Sequence, residues 1–361
     1  MSKSHNERLE ATINTAREMT EAATSKNELL RAVASLRDFP GGLHFDNVDD
    51  RRKALMYGAL AISAALLWVS WTLGWVEFGL GRKMPGVVNF SIAGVLGWTA
   101  VSWWMYTFNS DTRDEWLSEL SYDIAQRAGM IEAGIRPITT PPEDILSRLS
   151  DHFADYLRGD HGCEIVGAFE GRYEGERHAF HFSYFNLAYV DARQERHSTG
   201  GGNYETRTVH DHYNRFSLVV EFPWVRGIAA RTDEQEDVDF DYLYETTSSE
   251  FEDTFYLTGI TRKVCARFAK PETIQHLLEM EANLIDMNLE FSEEGGELCI
   301  SFEDDDLMGV ELPCDLSTPE QFYAHIEAGV SLEELEWLLD ALHTLACQHD
   351  NQLESPATAI H

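Results

Sequence analysis

The stretch FSLVVEF, residues 216–222, decides the fold class of the larger part of this chain. Phe216, Leu218, Val220 and Phe222 occupy every second position. Successive side chains of a β-strand point to opposite faces of the sheet, so this alternation is typical of a half-buried strand. The same alternation occurs in FHFSY, residues 180–184. The two stretches therefore predict strands of a mostly antiparallel sheet.

Helix signals surround these strands. Pro271 and Pro319 each open a stretch with apolar residues at helical spacing, and proline is favoured in the first helical turn. Ser331-Leu332-Glu333-Glu334 reads as a capping box before a further amphipathic helix. A hairpin is predicted for 289–302, with its turn at Glu293–Gly296. The sequence thus predicts a sheet combined with amphipathic helices, an α+β fold.

Two earlier runs contain no Asp, Glu, Lys or Arg: ALMYGALAISAALLWVSWTLGWV (54–76) and GVVNFSIAGVLGWTAVSWWMYTF (86–108), each 23 residues long. A helix of that length reaches across a hydrocarbon core of roughly 30 Å. The link between the runs is short, so a transmembrane helical hairpin is predicted. The whole chain is then a membrane protein with two spans and a soluble α+β domain.

Basic residues next to the runs predict the orientation of this hairpin. They are more numerous outside the hairpin (Arg51, Arg52, Lys53 and Arg113) than in its loop (Arg82 and Lys83). Because basic residues are enriched on the cytoplasmic side, both termini are expected in the cytoplasm. The predicted location is the bacterial inner (plasma) membrane, as a multi-pass protein with the lipid bilayer as a partner.

The predicted organisation has six parts. They are an N-terminal helical segment (1–50), the hairpin (51–108), a juxtamembrane helix (109–133), a Pro/Thr-rich linker (134–142), an acidic α+β domain (143–350) with a possible helical appendage (318–350), and a tail (351–361).

Acidity is confined to the C-terminal part of the chain. The 62 acidic and 28 basic residues give a formal net charge of -34. Residues 1–108 hold 10 acids and 11 bases, whereas 109–361 hold 52 acids and 17 bases. A nucleic-acid partner is excluded, because such proteins need a basic surface for phosphate contacts. Two readings of the acidity stay open: a cationic partner, or adaptation to a salty cytoplasm.

A set of core and turn patterns carries a family resemblance. The segments are GRYEG (171–175), FSLVVEFP (216–223), SSEFEDTFYLTG (248–259), VCARFAKPETIQHLLEM (264–280) and LEFSEEGGELCISFEDDDLM (289–308). In this order they resemble the DUF3137 family of bacterial membrane-anchored proteins. The resemblance covers about 160–308 and implies two hydrophobic helices before the domain. It carries no assigned activity or site residue.

Chemical motifs are few. The five cysteines are widely spaced without a CxxC pair, which encodes neither a disulfide framework nor a thiolate zinc site. His210 and His212 would share one face of a strand and could bind one metal ion with a third ligand. Solvent-facing histidines are the favoured alternative reading of this pair. No phosphate loop, dinucleotide fingerprint or catalytic elbow is present, so no cofactor is predicted.

The leading functional hypothesis is a membrane-anchored, non-enzymatic interaction or regulatory protein. It would present its acidic cytoplasmic domain to a protein partner and self-associate, because amphipathic helices are available for pairing and no catalytic constellation is encoded. A first alternative is a metal- or ligand-dependent sensor or enzyme that uses His210 and His212. A second alternative is a ligand-gated pore, or another membrane effector, built from several hairpins.

Overall fold

The structure of the protein is a computed structural model. It describes residues 5–45, 52, 55–60, 62–63, 65, 85–200, 203–232, 240–294, 296–304 and 307–350. The chain forms two compact units, Met1–Ala128 with Glu311–Val330, and Gly129–Val310 with Ser331–His361.

Helices build the first unit. They are α1 (His5–Ala22), α2 (Lys26–Arg37), α3 (Pro85–Glu132, which continues into the second unit) and α8 (Pro319–Ala328), and residues 55–60 are also helical. Its buried side chains include Leu9, Ile13, Leu29, Val33, Leu36, Leu120, Ile124 and Phe322.

A break separates α1 from α2 within the predicted N-terminal helix. The Glu28 carboxylate accepts the backbone N–H of Thr24 at 2.7 Å, just before the second helix. The guanidinium of Arg127, on α3, donates to the carbonyl oxygen of Ala23 at 3.0 Å. These polar contacts satisfy backbone groups at the break, and the N-terminal helical segment forms two packed helices.

The prediction of a transmembrane hairpin is wrong. In the part of the chain that the structure describes, no helix is both long enough and apolar enough to cross a membrane. Most of the first predicted span (54–76) lies outside the described residues, and the second (86–108) belongs to α3, which continues to Glu132. Freedom from charge is a weaker criterion than apolarity, because residues such as Thr99 and Ser102 still carry polar groups that are costly in hydrocarbon.

The other predictions that required the hairpin are wrong as well. The two-span fold class, the lipid bilayer as a partner and the multi-pass inner-membrane location are all wrong on the same finding. The pore alternative loses its basis, since it required several spanning hairpins.

A nine-stranded sheet builds the second unit. Its strands are β1 (Arg136–Pro137), β2 (Cys163–Glu174), β3 (Ala179–Gly200), β4 (Asn203–Phe222), β5 (Ile228–Arg231), β6 (Tyr242–Leu243), β7 (Tyr256–Gly259), β8 (Asn288–Phe291) and β9 (Gly296–Phe302). The order is β1-β2-β3-β4-β9-β8-β5-β7-β6, and every pair is antiparallel. The predicted α+β class with an antiparallel sheet is confirmed.

Helices cover both faces of this sheet. They are α4 (Pro142–His152), a 3₁₀ turn (Ala154–Leu157), α5 (Ser249–Thr254), α6 (Arg262–Phe268), α7 (Pro271–Glu281) and α9 (Glu333–His349). On one face, which we call the apolar face, Leu218, Ile300 and Leu289 pack with side chains of α7 and α9. On the other, which we call the mixed face, Val219 and Cys299 pack with side chains of α4.

Several predicted boundaries coincide with the observed elements. The predicted helix starts at Pro271 and Pro319 match α7 and α8, and the 289–302 hairpin matches β8 and β9. The predicted appendage, 318–350, is divided between the units after Val330. The predicted tail, 351–361, lies outside the described residues.

Candidate functional site

A row of polar side chains crosses the mixed face of the sheet. Strand register places Ser217 of β4 opposite Ser301 of β9, Ser301 opposite Asn288 of β8, and Asn288 opposite Arg231 of β5. All four residues are buried. A buried polar group is costly unless it is hydrogen-bonded, so this row requires partners from the layer above it.

Asp155 is the central partner of the row. The 3₁₀ turn Ala154–Leu157 carries its carboxylate onto the mixed face, where the residue is 3% exposed. The guanidinium of Arg158 lies 2.6 Å from this carboxylate, that of Arg231 3.5 Å and that of Arg215 3.6 Å. The Ser301 hydroxyl also donates to it. We call Asp155, Arg158, Arg215, Arg231 and Glu290 the buried charge cluster.

Glu290 is the second carboxylate of the buried charge cluster. Its oxygens accept the backbone N–H of Ala154 at 3.0 Å, and the guanidinium of Arg231 lies 3.1 Å away. Burial raises the pKa of Glu290 to about 7, although Arg231 opposes the rise. Two carboxylates on different elements therefore hold the segment around Ala154 and Asp155 against the sheet.

The charge state of Asp155 differs from that of Glu290. Burial by itself raises the pKa of Asp155, but the guanidiniums of Arg215, Arg158 and Arg231 outweigh burial. The net result is a pKa below the ordinary value of a carboxyl group. Asp155 is thus an anion at neutral pH, surrounded by three cations.

The geometry of the buried charge cluster indicates a structural role. Both oxygens of Asp155 are occupied, by Arg158 and Arg231 on one side and by Ser301 and Arg215 on the other. The Arg158 side chain, 11% exposed, keeps only slight contact with water. A general base needs an accessible lone pair aimed at a substrate, which Asp155 does not offer. The cluster acts as an ionic clamp on the 3₁₀ turn.

Sequence reasoning missed this cluster. One signal was present: Arg215 and Ser217 have the same parity in β4, so both face the side opposite to Phe216 and Leu218. Parity assigns a side chain to a face but does not name its neighbours, which come here from β9, β8 and β5.

Four of the five cysteine thiols are not activated as nucleophiles. All five cysteines are free. Burial raises the pKa of Cys163, Cys265, Cys299 and Cys314. A reactive cysteine needs a lowered pKa, because the thiolate is the nucleophile.

The predicted metal ligands lie on the outer part of β4. His210 and His212 are two residues apart and exposed, which places them on one face as predicted. The ring of His161 lies near His210, with 4.8 Å between the centroids. Among the described residues, no group of three or more His, Cys, Asp or Glu side chains is arranged to hold a metal ion. The His210–His212 site stays a prediction.

A histidine of α9 holds the turn between β2 and β3. His343 Nε2 accepts the backbone N–H groups of Arg177 and His178, both at 3.2 Å. A Cβ added to Gly175 in this turn would lie 2.5 Å from His343 Cδ2. This is closer than carbon atoms approach, so the turn requires glycine at position 175. The arrangement is a positioning contact for α9.

An exposed apolar surface occurs in the helical unit. It consists of Leu55, Met56, Leu60, Ile62, Trp98, Val101, Trp103 and Trp104, and we call it the tryptophan surface. Trp98 is 71% exposed and Leu55 75%, whereas Thr99, the neighbour of Trp98, is 3% exposed. A Cβ added to Gly58 would lie 4.0 Å from Trp103 Cδ1, so the two stretches are adjacent.

The exposure of these side chains marks a candidate interaction surface. Three tryptophans at 50–71% exposure present on the order of 400 Å² of aromatic area, given about 250 Å² per complete side chain. Contiguous apolar patches above a few hundred Å² usually mark interaction sites.

Comparison with protein-family models, with curated proteins and with solved structures finds no match to this chain. The resemblance to DUF3137 therefore stays a prediction.

Proposed function

We propose that this chain is a non-enzymatic interaction protein that self-associates through the tryptophan surface of its helical unit. The observation that carries the proposal is the exposure of eight large apolar side chains on two adjacent stretches. Tryptophan is the residue type most enriched among the energetic centres of protein interfaces. A second copy of the chain is the occupant that we assign, since two-fold homodimers are the commonest oligomers and bury the same patch of both subunits.

The non-enzymatic part of the proposal draws on the buried charge cluster and the thiols. The two carboxylates of the buried charge cluster, Asp155 and Glu290, hold the 3₁₀ turn through ion pairs and hydrogen bonds. The buried thiols of Cys265 and Cys299 have raised pKa values. These groups are organised for packing and not for proton transfer or nucleophilic attack.

Charge restricts any other partner. Residues 109–361 carry 52 acids against 17 bases, so a polyanion is repelled from this part of the chain. A regulatory partner of the acidic region is therefore cationic or close to neutral, and its association rate should fall as salt is added.

The experiment compares the mass of the full-length protein in solution with that of two variants, by sedimentation velocity over a hundredfold range of concentration. Trp98→Gln combined with Trp104→Gln should shift the protein towards monomer by at least tenfold in the dissociation constant. The matched control is Tyr122→Gln, because Tyr122 lies on the same helix at 39% exposure, outside the tryptophan surface. A wild-type protein that stays monomeric throughout, or a double variant that associates as strongly as the control, would overturn the proposal.

A further inference from the structure

The hairpin of β3 and β4 extends well beyond the sheet. β2 pairs with β3 only as far as Tyr189, and β9 pairs with β4 only from Phe216 onward. Beyond these points the two strands continue to pair with each other up to Gly200 and Asn203. We call the outer part, 190–212, the ribbon. A two-stranded ribbon without a third strand is marginally stable in water.

The two edges of the ribbon differ. At the base of β3, the backbone of Val190 pairs with that of His161 and Gly162, and the Ala192 N–H donates to the Asp160 carboxylate at 2.8 Å. In the part of the chain that the structure describes, no strand pairs with the outer edge of β4 between 203 and 213. This edge exposes a row of backbone donors and acceptors.

The ends of the main sheet are built differently. Its terminal strands, β1 and β6, have two residues each, and very short edge strands protect a sheet from pairing with other chains. Among the described residues, no short strand protects the outer edge of β4 in this way. Thr206, Thr208 and Val209 on this strand are β-branched residues with high strand propensity.

We propose that two copies of this chain pair through the outer edges of their β4 strands, antiparallel and about a two-fold axis at Val209. In this register Val209 lies opposite Val209 of the second copy. Arg207 then lies opposite Asp211 of the second copy, and the symmetry makes this pair twice. Opposite charges at directly opposed positions stabilise strand pairing.

Charge selects this register over its neighbours. A two-fold axis perpendicular to the sheet places odd-numbered residues opposite odd-numbered residues and even opposite even. The axis must therefore lie at a residue position, and the possible registers differ in which residue that is. An axis at Arg207 or at Asp211 opposes like charges directly. An axis at Thr208 brings Glu205 opposite Asp211, and one at His210 forms no ion pair within the ribbon. An axis at Thr206 brings Glu205 opposite Arg207 but leaves Asp211 without a cation from the second copy. The axis at Val209 is the arrangement that gives both Arg207 and Asp211 a partner of opposite charge.

The ribbon also gains from a second copy electrostatically. Within one chain Asp211 lies directly opposite Asp191, a like-charge pair that weakens the ribbon. Arg193, whose guanidinium contacts Asp211, offsets this in part. Arg207 of a second copy supplies another cation to Asp211. The ribbon has four acids and three bases, so copies can approach there despite the acidity of the rest of residues 109–361.

This contact is independent of the tryptophan surface and adds a second interface to the proposed function. Its test is therefore made in the Trp98→Gln/Trp104→Gln background, where association through the helical unit is removed. Failure of the ribbon contact then leaves the result for the tryptophan surface unchanged. If both contacts form, the Tyr122→Gln control assembles beyond a dimer, whereas the Trp98→Gln/Trp104→Gln variant stops at the ribbon dimer.

The first experiment is disulfide trapping of the full-length protein. Directly opposed residues of an antiparallel pair have Cα atoms about 4.5–5.5 Å apart, within the range that a disulfide spans. Val209→Cys should therefore form a cross-linked dimer under mild oxidation. The control is Thr208→Cys, which lies diagonally from its own copy at about 7–8 Å and should cross-link at least tenfold more slowly. Equal rates for the two variants, or no dimer above the background of the parent protein, would overturn the proposal.

The second experiment exchanges charges between copies. Arg207→Asp and Asp211→Arg, each alone, put like charges opposite each other twice and should weaken dimer formation about tenfold or more. A mixture of the two variants should form heterodimers. In these, the new aspartate at position 207 of one variant faces the new arginine at position 211 of the other, and the native Asp211 faces the native Arg207. Native mass spectrometry distinguishes the species. Homodimers as abundant as heterodimers in the mixture would refute the register.

Discussion

Replacing Asp155 by alanine should strongly destabilise the α+β unit. The substitution leaves Arg215 and Arg231, both almost fully buried, with Glu290 as the remaining buried carboxylate. Arg158 loses its contact with this carboxylate too, but its 11% exposure lets it turn towards water. Removing one partner of a buried ion pair costs about 3–5 kcal/mol. The hydroxyl of Ser301, left without its acceptor, adds about 1 kcal/mol or more.

The expected loss is therefore about 4–6 kcal/mol, against a total stability of about 5–15 kcal/mol for a typical domain. Native-state hydrogen exchange is the suitable assay, because peptides covering 288–302 report on β8 and β9 without interference from the helical unit. Each 1.4 kcal/mol is a factor of ten, so the slowest amides of these strands should exchange roughly a thousandfold to ten-thousandfold faster.

Two further variants test whether the loss of stability comes from the charge of Asp155. Asp155→Asn keeps the shape but removes the charge, and it should retain most of the loss if electrostatics dominates. Asp160→Ala is the matched control. This aspartate accepts the backbone N–H of Ala192 but is 61% exposed, and its removal should cost less than about 1 kcal/mol. An Asp155→Ala protein within about 1 kcal/mol of wild type would refute the view that Asp155 neutralises the buried arginines.

Two other predictions concern the helix α9. Burial lowers the pKa of His349 to about 3 from its ordinary 6.5. Between these two pH values the unfolded chain binds a proton at this histidine and the folded chain does not. The free energy of unfolding should therefore fall by up to about 1.4 kcal/mol per pH unit as pH drops from 6.5 to 3. In urea titrations, His349→Phe, which keeps the stacking on Phe268, should be less acid-sensitive than wild type, and equal slopes would contradict the assignment. Gly175→Ala forces a Cβ to within 2.5 Å of His343 and should cost about 1–3 kcal/mol of stability in the same titrations. The control is Gly167→Ala, whose new Cβ meets ordinary contacts at 3.5 Å and should cost clearly less. Equal losses would mean that the turn rearranges to accept a side chain at position 175.

Sequence patterns predicted secondary structure correctly where one physical rule, such as strand alternation or proline at a helix start, determined the element. The alternation in 216–222 identified β4, and prolines identified the starts of α7 and α8. The helix after Ser331 begins at Glu333 with Leu332 as its N-cap and without a side-chain cap, so the expected capping box is absent. Ile285 continues the apolar spacing of the stretch that Pro271 opens, but it follows the end of α7 and is 59% exposed.

The main error came from reading a long charge-free stretch as a membrane span. Charge content is visible in a sequence, but whether a helix packs, or leaves side chains such as Trp98 exposed, depends on the elements that surround it. The tryptophan surface could be suspected from the clustering of tryptophans. Which side chains of this helix are exposed depends on its packing in the tertiary structure, where Thr99 is buried and its neighbour Trp98 is exposed.

The sequence by itself determined the α+β class, the antiparallel strands and the side of each strand that is apolar, because these follow from the geometry of a single strand or helix. The tertiary structure decided the contents of the mixed face. Ser217, Ser301, Asn288 and Arg231 come from four strands whose order in the sheet is not their order in the chain. The physical reason is that periodicity assigns a side chain to a face, whereas the register between distant strands sets which charges meet there and whether a buried carboxylate is available to neutralise them.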